Sequence, residues 1–202
     1  NNGYEIFGIE NGFNGLVTGR MGLMDYKDVS GILPRGGTIL GTTNRDNPFK
    51  FAVEENGELV YYDKRAEVLA NLEKHGIEAL VVIGGDGSLN IAARLAKECG
   101  IKVVGVPKTI DNDLVNTDHT PGFGSAAKYV ASTVREIAVD ASVYDNKKSV
   151  TIVEIMGRHA GWLTAASALA RKFEGDNPVL IYLPEVAFDT DCLLYTSDAA
   201  DD

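Results

Sequence analysis

The chain has 202 residues, 45% hydrophobic and 24% charged, with a formal net charge of −10, which is material for one large globular domain or two smaller ones. The acidic balance argues against a general binder of nucleic acid or anionic membranes, and no apolar run has membrane-spanning length or the pattern of a signal peptide. Cys99 and Cys192 form no metal spacing and point to a reducing compartment, with the cytoplasm as the expectation.

In chain order, residues 4–9 predict a strand, and the glycine-rich stretch 11–22 reads as turns. Residues 29–40, VSGILPRGGTIL, lead into a polar loop over 41–50 that carries Arg45. Ala66, Leu69 and Ala70 repeat at helical spacing within 63–74, with Asp63 in the N-cap position and Gly76 as the stop. Residues 79–113, ALVVIGGDGSLNIAARLAKECGIKVVGVPKTIDND, predict a βαβ unit. Its strands fall at 79–83 and 103–106. Its helix opens near Ser88, shows Ile91, Ala92, Leu95 and Ala96 on one face, and stops at Gly100. Beyond a turn at 121–124, residues 125–141 predict a long amphipathic helix. The remainder predicts a strand at 150–155, an alanine-rich helix at 160–171 and a buried strand at 179–183.

Both strands of the βαβ unit end in polar groups, and open α/β sheets bind ligands at that edge. After the first strand comes Gly84-Gly85-Asp86-Gly87-Ser88. Glycines there permit positive φ and close approach of a ligand, and the helix start supplies free N–H groups suited to phosphate. Asp86 would repel a phosphate unless a cation lay between them, and Mg²⁺ takes one or two carboxylates plus phosphate oxygens. A plain turn after a buried strand needs the same glycines. After the second strand, Thr109, Asp111 and Asp113 would share one side of an extended segment, where paired carboxylates hold a metal or divide acid and base roles. An Asx turn is the competing reading.

GGDGS, then PKTIDND, then Met156-Gly157-Arg158, together with GGTILGTT at 36–43 and PEV at 184–186, resemble the phosphofructokinase family over nearly the whole chain. The resemblance implies a three-layer α/β/α fold of Rossmann-like parallel sheets. It also implies a donor-phosphate domain over 1–122, the start of a sugar-phosphate domain over 123–191 and a tail at 192–202 that does not continue the family pattern. The family has an earlier strand with its own glycine-rich loop, and later strands, so the chain is expected to be a fragment truncated at both ends and inactive by itself. An arginine beyond the GGTxLG run reaches the donor phosphates in many members; here Asn44 falls at that place and Arg45 follows. Ser149 stands where a neighbouring subunit's arginine would hold the sugar phosphate, with Lys147 and Lys148 beside it.

By this resemblance the intact protein transfers phosphoryl to the 1-hydroxyl of fructose 6-phosphate by in-line displacement, as a homo-oligomer. Asp111 accepts the hydroxyl proton, and Asp113 orients the site or the metal. Asp86 holds Mg²⁺, while Gly85, Gly87, Ser88 and Arg45 meet the donor. Thr109 bonds the transferred group, and Met156, Gly157 and Arg158 line the sugar side, with Arg158 gripping phosphoryl oxygens. His119, His159 and Trp162 are read as loop or packing residues. Pyrophosphate-using relatives carry Asp where this chain has Gly87, so ATP is the expected donor; Lys108, typical of pyrophosphate users, keeps pyrophosphate as the alternative. A different GGDG kinase, such as an NAD kinase, and a non-catalytic sensor of nucleotide or sugar phosphate are the readings from other classes.

Overall fold

The computed structural model describes residues 3–144, 150–178 and 180–191. The chain forms two compact units. The first runs to Val82 and takes up again over Gly87–Gly105; the second comprises Ile83–Asp86 and the chain from Val106 onward.

In the first unit, strand β1 (Ile6–Ile9) pairs antiparallel with β2 (Met21–Met24). Helix α1 (Phe13–Thr18) joins them, so the stretch expected to be turns holds a helix and the start of a strand. Positive φ at Asn11, Gly12 and Gly19 marks the ends of that helix; the glycines punctuate the segment without dissolving it. Helix α2 (Tyr26–Val29) precedes an irregular stretch that reaches β3 (Phe51–Glu55). β3 pairs with β4 (Glu58–Tyr62) through Asn56-Gly57, both at positive φ, as a two-residue hairpin turn demands.

Helix α3 (Arg65–Lys74) begins two residues after Asp63. Lys64 holds the N-cap position, while the Asp63 carboxylate accepts the Arg65 N–H at 3.1 Å. At the other end Gly76 takes φ 63°. The Ile77 N–H donates to the Leu72 carbonyl at 2.9 Å and the Gly76 N–H to the Glu73 carbonyl at 3.1 Å, the bonding of a Schellman stop. The core gathers Leu16, Val17, Phe51, Val68, Leu72, Leu80 and Leu95. The Asn71 amide donates to the Leu16 and Val17 carbonyls at 3.0 and 2.9 Å, docking the end of α1 on α3.

The predicted βαβ unit forms as β5 (Ala79–Gly84), α4 (Asp86–Cys99) and β6 (Lys102–Pro107), with β5 and β6 paired. Ala92 and Leu95 are buried and Ile91 packs beside them, the face that the sequence period marks.

In the second unit, α5 (Phe123–Ala141) packs on α6 (Trp162–Ala166) and on the 3-10 turn Ser167–Ala170 that continues it. Val134, Leu163, Ala166 and Ala170 are buried there. The expected helix over 160–171 is therefore shorter and tightens at its end. The expected strands at 150–155 and 179–183 do not form among the described residues. Val150 and Ile152 stand 85% and 89% exposed, and an apolar run without a pairing partner has no ladder to satisfy its backbone. Lys147, Lys148, Ser149, Val179 and the tail 192–202 lie outside the described residues.

Candidate active site

β5 and β6 leave the sheet side by side. The Lys108 N–H donates to the Gly84 carbonyl at 2.9 Å, which extends the pairing to the point where both loops begin. Gly85 lies against the second loop: a Cβ there would sit 3.6 Å from both the Lys108 carbonyl oxygen and Thr109 Cβ. The two loops thus meet as the sequence predicts.

The first loop differs from expectation in its geometry. Gly84, Gly85 and Gly87 are absent from the positive-φ residues, so their use is not a left-handed turn. Gly84 is buried at the end of β5, and α4 starts at Asp86, two residues before the expected opening near Ser88. Asp86, Gly87 and Ser88 form the first helical turn, where backbone N–H groups lack intrahelical acceptors. Asp86 is exposed, and a Cβ at Gly87 would meet nothing within 4 Å. Small residues here leave open space in front of a helix start.

The second loop is not extended throughout. Asn112 takes φ 56°, which breaks the two-residue alternation expected to bring Thr109, Asp111 and Asp113 to one side. Thr109 and Asn112 are buried, Asp113 is exposed, and Asp111 lies between these extremes. The Asp111 N–H donates to Thr109 Oγ1 at 3.2 Å. Its Oδ1 is buried without a hydrogen-bond partner. A buried carboxylate oxygen left unpaired costs free energy, on the order of 1–3 kcal/mol or more, and is an acceptor held ready for a ligand donor.

Asn112 does not form the Asx turn of the competing reading with its own backbone. Its Oδ1 accepts from the Thr120 N–H at 2.9 Å and its Nδ2 donates to the Asp118 carbonyl at 3.2 Å. The Thr120 hydroxyl donates to the Thr109 carbonyl at 2.7 Å. Sequence reasoning missed this bracket; an Asn between two Asp residues was the available signal, since Asn tolerates the left-handed region.

Met156, Gly157 and Arg158 belong to a bend, not to a strand end. Gly157 sits at φ 140°, and a Cβ on it would run into the Ala160 carbonyl oxygen. The next turn is anchored where Glu185 Oε1 accepts the Gly161 N–H at 2.7 Å, which ties the PEV segment to the start of α6. Met156 is 67% exposed. Arg158 is exposed, and among the described residues neither it nor Arg45, Lys108, Asp86 or Asp113 joins an ion pair. Arg45 lies in the first unit. Trp162 meets Phe123 edge-on and His119 stacks on the same ring, whereas His159, expected to pack, is exposed.

A strand–helix–strand unit with a glycine-lined helix start beside an acidic loop defines an open-sheet α/β protein with its polar groups at the carboxyl ends of the strands. The chain belongs to the phosphofructokinase family, whose sequence model matches residues 1–200. It is 42% identical over 188 residues to ATP-dependent 6-phosphofructokinase 2 of Clostridium perfringens, a match covering 93% of this chain and 49% of that protein. It is 41% identical over 189 residues to the pyrophosphate--fructose 6-phosphate 1-phosphotransferase of Streptomyces coelicolor, covering 94% and 50%. The solved pyrophosphate-dependent phosphofructokinase of Nitrosospira multiformis superposes with a TM-score of 0.78 at 30% identity over 97% of this chain and 48% of that one. The chain spans about half the length of these relatives, and its α/β fold is that of the family.

Proposed function

We propose that the complete protein is a 6-phosphofructokinase that transfers a phosphoryl group from ATP to the 1-hydroxyl of fructose 6-phosphate. The observation that carries this reading is the buried, unpaired Oδ1 of Asp111 on a loop that lies against Gly85. An acceptor in that setting suits the proton of an attacking sugar hydroxyl. Thr109 keeps the Asp111 backbone in place through its Oγ1 and is a donor for the transferred group.

The exposed cations Lys108 and Arg158 supply positive charge for phosphoryl oxygens in an otherwise acidic chain. Among the described residues no group of three or more His, Cys, Asp or Glu is arranged to hold a metal ion alone. Asp86, a single exposed carboxylate in the first turn of α4, fits Mg²⁺ shared with phosphate oxygens and water. When bound, that ion neutralises charge on the donor phosphates.

ATP is favoured because Gly87 opens onto free space, where a bulkier acidic residue would oppose the nucleotide's inner phosphate. Lys108 and the 41%-identical Streptomyces relative favour pyrophosphate as the second reading. Steady-state turnover of the complete gene product with fructose 6-phosphate and either donor tests both. Activity with ATP is the expected result. Activity with pyrophosphate alone reverses the donor, and activity with neither removes the kinase reading.

A further inference from the structure

We infer that Asn112 and Thr120 are positioning residues for Asp111, a role that rests on the phosphoryl-transfer reading above. Asp111 occupies a short span fixed on both sides. On one side Thr109 is held by the Thr120 hydroxyl at its carbonyl, 2.7 Å, by the Pro121 carbonyl at its N–H, 3.2 Å, and by a parallel bridge to Gly122. On the other side Asn112 is locked at φ 56° by an amide that bonds the Thr120 N–H, the Asp118 carbonyl and, at 3.3 Å, the Thr120 hydroxyl.

Thr120 is 3% exposed and Asn112 8%, so water does not compete freely for these bonds. One hydroxyl and one amide therefore clamp Thr109, two residues before, and Asn112, directly after, a carboxylate that itself makes no bond through its buried oxygen. An unpaired carboxylate has nothing of its own to set its direction; the backbone on either side sets it. Positioning of this kind matters because a displacement of about 1 Å costs on the order of 100-fold in rate.

Three variants of the complete gene product test the role. Asn112→Gly permits the left-handed backbone and removes the amide. Thr120→Val keeps the volume and removes the hydroxyl, and Thr120→Ser returns it. N112G and T120V are expected to lose kcat by about 10- to 100-fold while KM for fructose 6-phosphate stays within about twofold. T120S is expected to recover most of the lost kcat.

Asp111→Asn in the same assay reports on the underlying reading. Undiminished turnover in D111N removes Asp111 as the acceptor of the hydroxyl proton and this inference with it, whereas no turnover in the parent protein removes the kinase reading. Turnover lost in D111N but intact in N112G and T120V overturns the positioning role alone. A kcat deficit that serine does not restore, or that comes with loss of folding in both N112G and T120V, assigns the two residues to folding and overturns it as well.

Discussion

Gly157 shows how much one absent side chain decides. At φ 140° any L-residue is strained, and the Cβ has only the Ala160 carbonyl oxygen to meet. Replacing it with alanine must therefore move the bend that carries Met156 and Arg158. Gly157→Ala is expected to cost about 1–3 kcal/mol of stability, read from chemical denaturation, and to lower activity of the complete protein more than a surface substitution of equal cost. An unchanged midpoint and unchanged turnover would show the bend to be free to relax. By contrast, Gly85 and Gly87 carry no positive φ, and their Cβ positions meet only ordinary contacts or open space; they matter for what they leave empty. The sequence distinguishes these cases poorly, because a glycine reads the same whether it supplies a dihedral angle or a gap. The residues proposed to carry the chemistry, Asp86, Thr109 and Asp111, stand after apolar runs that form strands β5 and β6. The Asn112–Thr120 bracket was not legible, since it joins residues eight apart through a turn whose path the local pattern does not dictate.

Elements were legible where their signal was local. The βαβ unit and α3 announce themselves by apolar period and by a glycine stop, and each forms close to its predicted bounds. The β3–β4 hairpin carries a strong short-range signal, Asn56-Gly57 between β-forming residues. The runs at 150–155 and 180–183 fail for the opposite reason: a strand is a property of a pair, and apolar content alone does not supply the neighbour.

The α3–α4 contact illustrates an element-scale prediction. The Arg65 guanidinium bonds Asp63 at 2.6 Å and Glu98 at 3.1 Å, and Arg94 bonds Glu98 at 2.9 Å while lying 3.7 Å over the Phe49 ring. Hydrogen bonding from Arg65 holds the Asp63 carboxyl below its ordinary value, and Arg94 does the same for Glu98. A carboxyl depressed in the folded state contributes stability that is complete above its unfolded pKa and is lost as pH falls through the folded one. The thermal midpoint is therefore expected to drop as pH falls from about 5 to 2, less steeply in Arg65→Ala and less steeply at high salt, since these groups are exposed and screened. Equal slopes in the variant and the parent chain would show the cluster to be energetically idle.

At the scale of the whole molecule, charge and apolar surface pull in different directions. A net charge of −10 keeps copies of the chain apart at low ionic strength, and it obliges a binder of anions to gather its cations locally. The second unit leaves Val150, Ile152, Val153, Leu180 and Tyr182 between 40% and 89% exposed. Large apolar side chains on backbone that pairs with no strand among the described residues favour association with further strands or a second copy. Repulsion weakens as salt shortens the Debye length to about 3 Å at 1 M, while apolar attraction does not weaken. The 202-residue chain is therefore expected to stay dispersed at low salt and to associate as salt rises, with sedimentation or light scattering as the measurement. Replacing Val150 and Ile152 by threonine, which keeps β-branching and removes apolar area, is expected to raise the salt concentration at which association begins. If the variant associates at the same salt as the parent chain, the attraction resides elsewhere, and exposure of this run has no bearing on how the chain meets its neighbours.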